Sequence, residues 1–238
     1  EIVIKSLSKI NCKGINITIP FKEKVLNYCS KISPLAEKIK AVNTLKPNGE
    51  GEWHGINTDV EGLTYPLENL NFLKKKGIIL GSGGAARSAI QGLINLKMSE
   101  IIVISRNQIS LENLLSDFKN NHVIKAISFQ NPHILDVINS ADLIINTTPV
   151  GMINHKSVND ELPFGNNFWR SVNSKTIIYD LIYNPQETRL LNFSRKKGCQ
   201  TINGMKMLVA QGAKSLSYWT DGLNIPIEIM EEAIKKYL

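Results

Sequence analysis

The sequence predicts an α/β protein in which a parallel sheet is flanked by a smaller mixed region. Two observations lead to this fold class. Between residues 76 and 202 of the 238-residue chain, almost wholly apolar strand patterns alternate with helical patterns. Continuous apolar strands of this kind are typical of a parallel sheet that helices cover on both faces. The first of these strands also runs through a glycine-rich turn directly into a helix, as a βα unit of this class requires.

The first part of the chain mixes short strands with helices. Apolar residues at helical spacing predict a helix over residues 1–10, and the alternation in INITIPF predicts a strand over residues 15–21 with Lys22 at its end. Ser33 and Pro34 have the types expected at the start of a further helix. The strands in AVNTLK and WHGINTD are joined by the hairpin turn PNGEGE, and a helix and a polar link follow.

The middle of the chain supplies the alternating elements. Strand patterns occur in KGIIL, EIIVIS, ADLIINTTPVGM, KTIIYDLIYNP and CQTING, and helical patterns occur in AARSAIQGLINLK, SLENLLSDFKN and ETRLLNFSRKKG. The closing segments GMKMLVAQGAKSLSYW and IPIEIMEEAIKKYL predict two helices. We therefore expect a parallel sheet of βα units, followed by helices that return to the first region.

Composition narrows the range of partners. The chain has 28 basic and 21 acidic residues, a formal net charge of +7, and its positive charges are scattered. Scattered positive charge suits an anionic small molecule, and no patch of basic and aromatic residues favours nucleic acid. No apolar stretch is long enough to span a bilayer. We expect a small-molecule substrate and neither a nucleic-acid nor a membrane partner.

The cysteines indicate the compartment. Cys12, Cys29 and Cys199 are odd in number, far apart and without metal-ligand spacing. This favours a reduced, intracellular protein without a metal site, and we expect it in the cytoplasm. The chain begins at Glu1 rather than at Met and leads almost directly into a helical pattern, so we expect a fragment. The sequence leaves open whether the protein is a monomer or a homodimer.

A glycine pattern lies between the strand KGIIL and the next helix. Gly81, Gly83 and Ala86 follow the order G-x-G-x-x-A. Gly81 permits a tight turn, Gly83 leaves room for a pyrophosphate, and a small residue at position 86 lets the helix pack on the strand. The N-terminus of that helix adds N–H groups and a positive dipole end. Any tight strand-to-helix turn can use glycine, but this context predicts a dinucleotide site at Gly81, Ser82, Gly83, Gly84 and Ala85.

The end of the second strand of this unit favours NADP over NAD. An NAD site normally places an acidic residue there to bind the ribose 2′-hydroxyl. This chain has Ser105, Arg106 and Asn107 instead. The guanidinium of Arg106 offers a cation for a 2′-phosphate and a flat face for adenine. The alternative is that Arg106 is an ordinary surface arginine.

Seven short motifs occur in the order found in a known family: NITIPFKE, AVNT, NTD, GSGGAARS, NTTPVGM, YDLIYNPQET and NGMKMLVAQGA. In these motifs the chain resembles the shikimate dehydrogenases over essentially its whole length. The resemblance implies a substrate-binding domain of residues 1–58 and 205–238 and, between them, a Rossmann-like NADP-binding domain of residues 59–204. It also implies reversible reduction of 3-dehydroshikimate to shikimate by NADPH, a step of aromatic amino acid (chorismate) biosynthesis.

Lys22 suits the proton transfer that such a reduction needs. When hydride reaches the carbonyl carbon, the oxygen must gain a proton, and a firmly held ammonium can donate it and stabilise the developing alkoxide. By resemblance, Asp59 would orient this ammonium and bind a substrate hydroxyl. Either residue alone is more often a solvated surface group. Together, inside two matching motifs, they predict a catalytic pair.

The resemblance also implies binding roles for other side chains. Leu181 and Gly204 would lie along the nicotinamide. Neutral polar groups suit a polyol, because each can hydrogen-bond a hydroxyl. The residues that would contact the substrate in this way are Thr18, Asn43, Tyr183 and Gln211.

The chain departs from the family pattern in three places. The N-terminal strand and its Ser-x-Ser motif, which binds the substrate carboxylate in the family, are missing, and we expect poor substrate binding without them. Ser6 and Ser8 lie on a predicted helix too close to Lys22 to take that role. A second arginine of the adenine loop is also missing, and Lys40 stands where the family often has glycine. The alternatives are a quinate/shikimate dehydrogenase that uses NAD or NADP, and a non-catalytic dinucleotide-binding homologue.

Overall fold

The computed structural model describes residues 2–10, 12–49, 51–119, 121–153 and 162–236. Its strands form two sheets, one of four strands and one of six, with helices packed on both. Within those ranges, no helix is both long and apolar enough to cross a lipid bilayer. The predicted α/β class is confirmed.

The N-terminal part of the chain builds the four-stranded sheet. Its strands are β1 (Ile15–Asn16), β2 (Lys31–Ile32), β3 (Thr44–Pro47) and β4 (Trp53–Ile56), in the spatial order β1-β3-β4-β2. Strand β3 is antiparallel to β1 and β4, whereas β2 is parallel to β4. The helices of this part are α1 (Ile2–Lys9), α2 (Pro34–Ile39) and α3 (Asp59–Thr64). The predicted first helix and the β3–β4 hairpin are confirmed.

Helix α2 begins and ends at the residues that its sequence favours. The Oγ of Ser33 accepts a hydrogen bond from the amide of Ala36 at 3.3 Å, and Pro34 is the first helical residue. The helix ends at Lys40, whose φ of 51° lies in the left-handed region. Glycine adopts this conformation without steric cost, which accounts for the glycine that the family often has at this position.

The strand predicted over residues 15–21 is wrong beyond Asn16. The amide of Phe21 donates to the carbonyl oxygen of Thr18 at 2.9 Å, and this bond closes a turn instead of continuing the sheet. The alternation of apolar residues therefore does not bury the second half of the segment. Ile19 is 54% exposed and Phe21 is 56% exposed.

Lys22 is consequently held by a turn rather than by the end of a strand. Its carbonyl oxygen accepts a hydrogen bond from the amide of Val42 at 2.9 Å. Asn43 follows Val42 in the chain, and its carbonyl oxygen accepts a hydrogen bond from the amide of Ile17 at 2.7 Å. These two bonds fix the backbone around Lys22 beside Asn43.

The six-stranded sheet is entirely parallel. Its strands are β5 (Lys76–Leu80), β6 (Glu100–Ser105), β7 (Ile124–Ser128), β8 (Leu143–Asn146), β9 (Ile177–Asp180) and β10 (Gln200–Ile202), in the spatial order β10-β9-β8-β5-β6-β7. The strand order reverses between β5 and β8, and open α/β sheets bind ligands outside the carboxyl ends of their strands at such a point. The predicted parallel sheet is confirmed.

Helices cover both faces of this sheet. They are α4 (Gly84–Asn95), α5 (Gln108–Asp117), α6 (Ile134–Asn139), α7 (Asn166–Arg170) and α8 (Arg189–Lys196). The sequence patterns predict α4, α5 and α8 but not α6, α7 or strand β7. The two missed helices have six and five residues, too few to show helical periodicity.

The chain closes with α9 (Met205–Trp219) and α10 (Ile227–Lys235), as predicted. Helix α9 packs closely against α3, because a Cβ at Gly62 would lie 2.7 Å from the Cβ of Gln211. On its other side α3 contacts α4, where a Cβ at Gly92 would lie 3.0 Å from a methyl group of Leu63. Helix α3 therefore lies between the C-terminal helix α9 and the first helix of the parallel sheet.

Candidate active site

Lys22 and Asp59 form an ion pair. The Nζ of Lys22 lies 2.7 Å from Oδ2 of Asp59, and the two side chains are only 14% and 5% exposed. Asp59 is the first residue of α3, where the positive end of the helix favours a carboxylate. The ammonium is therefore held by a short, charge-assisted hydrogen bond.

Asn43 links the other oxygen of Asp59 to helix α9. Its Nδ2 donates to Oδ1 of Asp59 and to Oγ1 of Thr58, each at 2.9 Å, and lies 3.4 Å from Oε1 of Gln211. Its Oδ1 accepts from the amide of Thr58 at 2.8 Å. The structure thus brings together four of the predicted site residues, namely Lys22, Asn43, Asp59 and Gln211.

Three hydroxyl groups, which the sequence patterns did not predict as part of the site, lie next to Asn43. They belong to Thr44, Thr58 and Ser215. The Oγ of Ser215 lies 2.8 Å from Oγ1 of Thr44 and 3.2 Å from Oγ1 of Thr58, and it donates to the carbonyl oxygen of Gln211 at 3.0 Å. All three residues are buried. Thr44 and Thr58 lie within the motifs AVNT and NTD, so these motifs contain two of the three supporting hydroxyl groups as well as the predicted contacts.

Thr18 and Tyr183 stand apart from this cluster. Thr18 is exposed, and Tyr183 is 41% exposed in the loop after β9. Among the described residues, no hydrogen bond joins either side chain to Lys22 or Asp59. Their contacts with the substrate stay predictions.

The glycine turn, residues 81–84, lies directly against the aliphatic part of the Lys22 side chain. A Cβ at Gly84, the first residue of α4, would lie 3.0 Å from the Cβ of Lys22 and 3.4 Å from its Cδ. One turn later, the Oγ of Ser88 lies 3.3 Å from Nδ2 of Asn57. The Oδ1 of Asn57 accepts from the amide of Val60, in the first turn of α3. The first two turns of α4 therefore support both members of the candidate catalytic pair.

Gly81 and Gly83 differ in the reason for their lack of a side chain. Gly81 has a φ of +110°, and a Cβ there would lie 2.6 Å from Oγ1 of Thr147, so the fold itself requires glycine. Gly83 has an extended backbone, and its Cβ would meet nothing within 4 Å. The space at Gly83 therefore lies open beside the start of α4, where a phosphate would receive N–H groups.

One serine hydroxyl group lies in this turn, and two more lie beside it. The Oγ of Ser82 lies 3.0 Å from that of Ser105 at the end of β6, and 2.9 Å from that of Ser110 in the first turn of α5. Asn107 caps α5, because its Oδ1 accepts from the amide of Ser110 at 2.9 Å. Ala85, the second residue of α4, is half-buried. The turn and the end of β6 are thereby joined by hydrogen bonds.

Arg106 follows β6 directly and is exposed. Its guanidinium lies 5.9 Å from the ring centre of Phe164, within the range of a cation–π contact. The group is therefore accessible at the carboxyl end of the sheet, on the same edge as Gly81, which follows β5. This is the place that the sequence predicts for a 2′-phosphate.

Leu181 and Gly204, both predicted to lie along the nicotinamide, are in contact with each other. A Cβ at Gly204 would overlap the carbonyl oxygen of Leu181, so glycine is required there. The amide of Gly204 donates to the carbonyl oxygen of Ile182 at 3.0 Å, and the amide of Leu181 donates to that of Asn146 at 3.1 Å. The loop after β9 is thus fixed between the end of β8 and the start of α9.

A buried carboxylate that the sequence analysis missed holds the same loop. Oδ1 of Asp180 accepts from Asn146 at 3.0 Å and from the amide of Ile182 at 3.2 Å, and Oδ2 accepts from Thr188 at 2.7 Å. Burial raises the pKa of Asp180 to about 6, although these hydrogen bonds oppose the shift. All of these partners are neutral, so the carboxylate has no adjacent cation among them.

Two family models match the chain. The shikimate dehydrogenase substrate binding domain matches residues 1–45, and the shikimate 5′-dehydrogenase C-terminal domain matches residues 204–235. A shikimate dehydrogenase (NADP(+)) of Prochlorococcus marinus subspecies pastoris is 60% identical over 238 residues, which are 100% of this chain and 83% of that protein.

Solved structures share the fold over nearly all of the chain. A shikimate 5-dehydrogenase of Thermus thermophilus, solved in complex with NADP(H) and shikimate, superposes with a TM-score of 0.81 at 30% identity, covering 99% of this chain and 83% of that one. A quinate dehydrogenase of Corynebacterium glutamicum, solved in complex with NAD, superposes with a TM-score of 0.83 at 25% identity, covering 99% and 82%.

Proposed function

Because the chain belongs to the shikimate dehydrogenase family, we propose that it catalyses the reversible, NADP-dependent reduction of 3-dehydroshikimate to shikimate, with Lys22 and Asp59 as its catalytic pair. This reaction is a step of aromatic amino acid biosynthesis through chorismate. One observation carries the proposal: the ion pair of Lys22 and Asp59 lies against Gly84 of the glycine turn. Proton donor and cofactor turn are therefore neighbours.

The residues of the turn fit an NADP molecule. Gly83 leaves open space at the start of α4, and Arg106 presents an exposed guanidinium after β6. We assign the pyrophosphate to Gly81, Ser82, Gly83, Gly84 and Ala85, the adenosine 2′-phosphate to Ser105, Arg106 and Asn107, and the nicotinamide to Leu181 and Gly204. When bound as NADPH, the cofactor supplies the hydride that the carbonyl carbon receives.

Lys22 supplies the proton. Its ammonium has three donors, so it can bind Asp59 and the carbonyl oxygen of the substrate at the same time. Transfer of one proton to that oxygen yields the hydroxyl, and the same amine accepts the proton in the reverse direction. Asp59 holds the amine in place through their 2.7 Å ion pair. The hydroxyl groups of the substrate are bound by Asn43, Gln211, Thr18 and Tyr183.

Membership of this family also leads us to propose the domain bounds, the cellular location and the oligomeric state of the protein. We assign residues 1–58 and 205–238 to the substrate-binding domain and residues 59–204 to the NADP-binding domain, with α3 at the boundary. The thiols of Cys12, Cys29 and Cys199 are free, which supports a cytoplasmic location. We expect a monomer or homodimer that binds no nucleic acid.

The test is a matrix of assays that follow NADPH or NADH absorbance. Purified protein is given shikimate or quinate, each with NADP or NAD. The proposal predicts the highest kcat/KM for shikimate with NADP. A higher value for quinate with NAD would favour the activity of the Corynebacterium relative. Cofactor binding without turnover of either substrate would favour a non-catalytic homologue, an alternative that the intact Lys22–Asp59 pair speaks against.

A further inference from the structure

Arg87 is a buried charged residue that contacts the ends of helices α2 and α5. It lies on α4, one turn from Gly84, and its side chain is 5% exposed. Its Nη1 forms an ion pair with Oδ2 of Asp117, at the end of α5, at 2.8 Å, and donates a hydrogen bond to the carbonyl oxygen of Ile39, at the end of α2, at 3.4 Å. One guanidinium therefore connects the helices of the parallel sheet to a helix of the four-stranded sheet.

The same guanidinium approaches the residue next to Lys22. Its Nε lies 3.3 Å from Oε2 of Glu23, within ion-pair distance but without hydrogen-bond geometry, and among the described residues Nε has no hydrogen-bond partner. The side chain of Glu23 is 45% exposed, whereas that of Arg87 is only 5% exposed. The carboxylate of Glu23, the residue that follows Lys22, therefore lies beside α4.

Asp117 completes the link from the other side. It pairs with Arg87 and also with Lys40, which follows α2. Burial alone would raise the pKa of Asp117, but the hydrogen bonds from Lys40 and Arg87 outweigh it and hold the pKa below its usual value. Asp117 therefore stays charged, and it compensates the buried charge of Arg87. Lys40 supplies a second bridge between the two parts of the chain.

We propose that Arg87 is a positioning residue that sets the distance between Lys22 and the glycine turn, through Glu23 and Ile39. The inference rests on the proposed function of Lys22. Substrate and cofactor are bound by different parts of the chain, so each can bind when the link is loosened. Hydride transfer, however, needs both at one short separation, and a misplacement of about 1 Å can cost about 10²-fold in rate. A loosened link should therefore lower kcat and leave both KM values largely unchanged.

Glu23→Gln is the sharpest variant, because an exposed side chain can be changed without a cavity. We expect kcat to fall by about three- to tenfold while the KM values for shikimate and NADP stay within about twofold. The matched control is Glu187→Gln. Glu187 is also 45% exposed and pairs with an arginine, Arg195, but both lie within the parallel-sheet part of the chain. This control should keep the parent kcat.

The primary kinetic isotope effect separates positioning from general destabilisation. Shikimate that carries deuterium at the oxidised carbinol carbon is compared with unlabelled shikimate. A positioning role slows hydride transfer itself, so the isotope effect on kcat should rise in Glu23→Gln. A loss of folded protein lowers kcat without changing this ratio. A fall in kcat at an unchanged isotope effect would therefore overturn the proposal.

A double-mutant cycle identifies the partner. Glu23→Gln should cost nothing further in the Arg87→Gln background, because the interaction is already gone. An equal cost in both backgrounds would overturn the assignment to Arg87. If Arg87→Gln fails to fold, the comparison of Glu23→Gln with Glu187→Gln decides alone, and equal kcat values in these two variants would likewise count against the proposal.

Amide hydrogen exchange gives a readout that does not depend on activity. The amide of Val42 donates to Lys22, so Glu23→Gln should speed its exchange while the amides of β5 and β6 keep their rates. Unchanged exchange at Val42 would contradict the link. This result stands whether or not Lys22 is the proton donor, so the failure of the proposed function and the failure of this inference are distinguishable.

Discussion

The ammonium of Lys22 lies 2.7 Å from the carboxylate of Asp59, although 37 positions separate the two residues in the chain. Taking a charged pair out of water is favourable only when its remaining bonding capacity is satisfied. Here the second oxygen of Asp59 accepts from Asn43 at 2.9 Å. The pair is therefore an organised part of the fold, and its individual members can be tested by substitution.

Replacement of Asp59 by Asn should lower kcat by about 10- to 100-fold and raise the KM for shikimate. The amide keeps the shape of the side chain but removes the charge that holds the Lys22 ammonium, and the substrate loses the same partner. Steady-state kinetics measure both effects. The control is Asp221→Asn, because Asp221 pairs with Lys46 at 2.5 Å but is 87% exposed. An Asp59→Asn variant as active as this control would remove the carboxylate from the mechanism.

Gly83 and Gly81 should respond in opposite ways to a single added methyl group. Gly83→Ala should leave the unfolding free energy nearly unchanged, since its Cβ meets nothing within 4 Å, yet weaken NADP binding strongly. Gly81→Ala should destabilise the fold by about 1–3 kcal/mol, because φ is +110° and the Cβ would meet Thr147. Urea unfolding and fluorescence titration with NADPH distinguish the two. Parent affinity for NADPH in Gly83→Ala would place the pyrophosphate elsewhere.

Arg106→Ala should weaken NADP binding by about one to two decades while NAD binding changes little. A charge-assisted contact to a phosphate contributes roughly 1.5–3 kcal/mol. Because Arg106 is exposed, the loss of its contact with Phe164 should not alter the fold. Kd values for both dinucleotides provide the measurement, with Arg195→Ala as a control at another exposed arginine. Equal losses for NADP and NAD would mean that Arg106 does not contact the 2′-phosphate.

Asp180 should make stability fall as pH rises. Its pKa is about 6 in the fold and 3.8 in the unfolded chain, so the folded state holds the proton more tightly between these values. The contribution is complete below the unfolded pKa and is lost as pH rises through about 6. The unfolding free energy of the parent minus that of Asp180→Asn should therefore decrease by roughly 2–2.5 kcal/mol from pH 4 to pH 7.5. Urea unfolding across this range measures it, and a constant difference would show that the carboxylate is not destabilised by burial.

The βα units could be predicted because their strands are continuous apolar runs bounded by helical patterns. Strand β7 was missed because it lies at an edge of the sheet and its residues, Ile124–Ser128, are only partly buried. The opposite error occurred at residues 15–21, where alternating apolar residues suggested a strand but the bond between Phe21 and Thr18 forms a turn. Local pattern alone does not decide whether tertiary contacts will complete a strand.

The candidate site was predictable where its residues lie in recognisable motifs, as Lys22 and Asp59 do. Its supporting contacts were not. Arg87 lies within the quoted motif GSGGAARS, yet nothing in its helical pattern shows that it is buried against Glu23. Asp180 likewise ends an ordinary apolar strand. Such contacts join residues far apart in the chain, and only the packing of the elements brings them together.

Replacement of Lys22 by Met tests directly whether its ammonium donates the proton. Methionine keeps the apolar stem that packs against Gly84 and removes only the ammonium. The control is Lys46→Met, because Lys46 is also a partly exposed lysine in an ion pair, with Asp221. We expect Lys22→Met to lower kcat for shikimate oxidation by about 10²–10⁴-fold with unchanged NADP affinity, and Lys46→Met to keep the parent kcat. A kcat for Lys22→Met within about twofold of the parent would contradict this expectation.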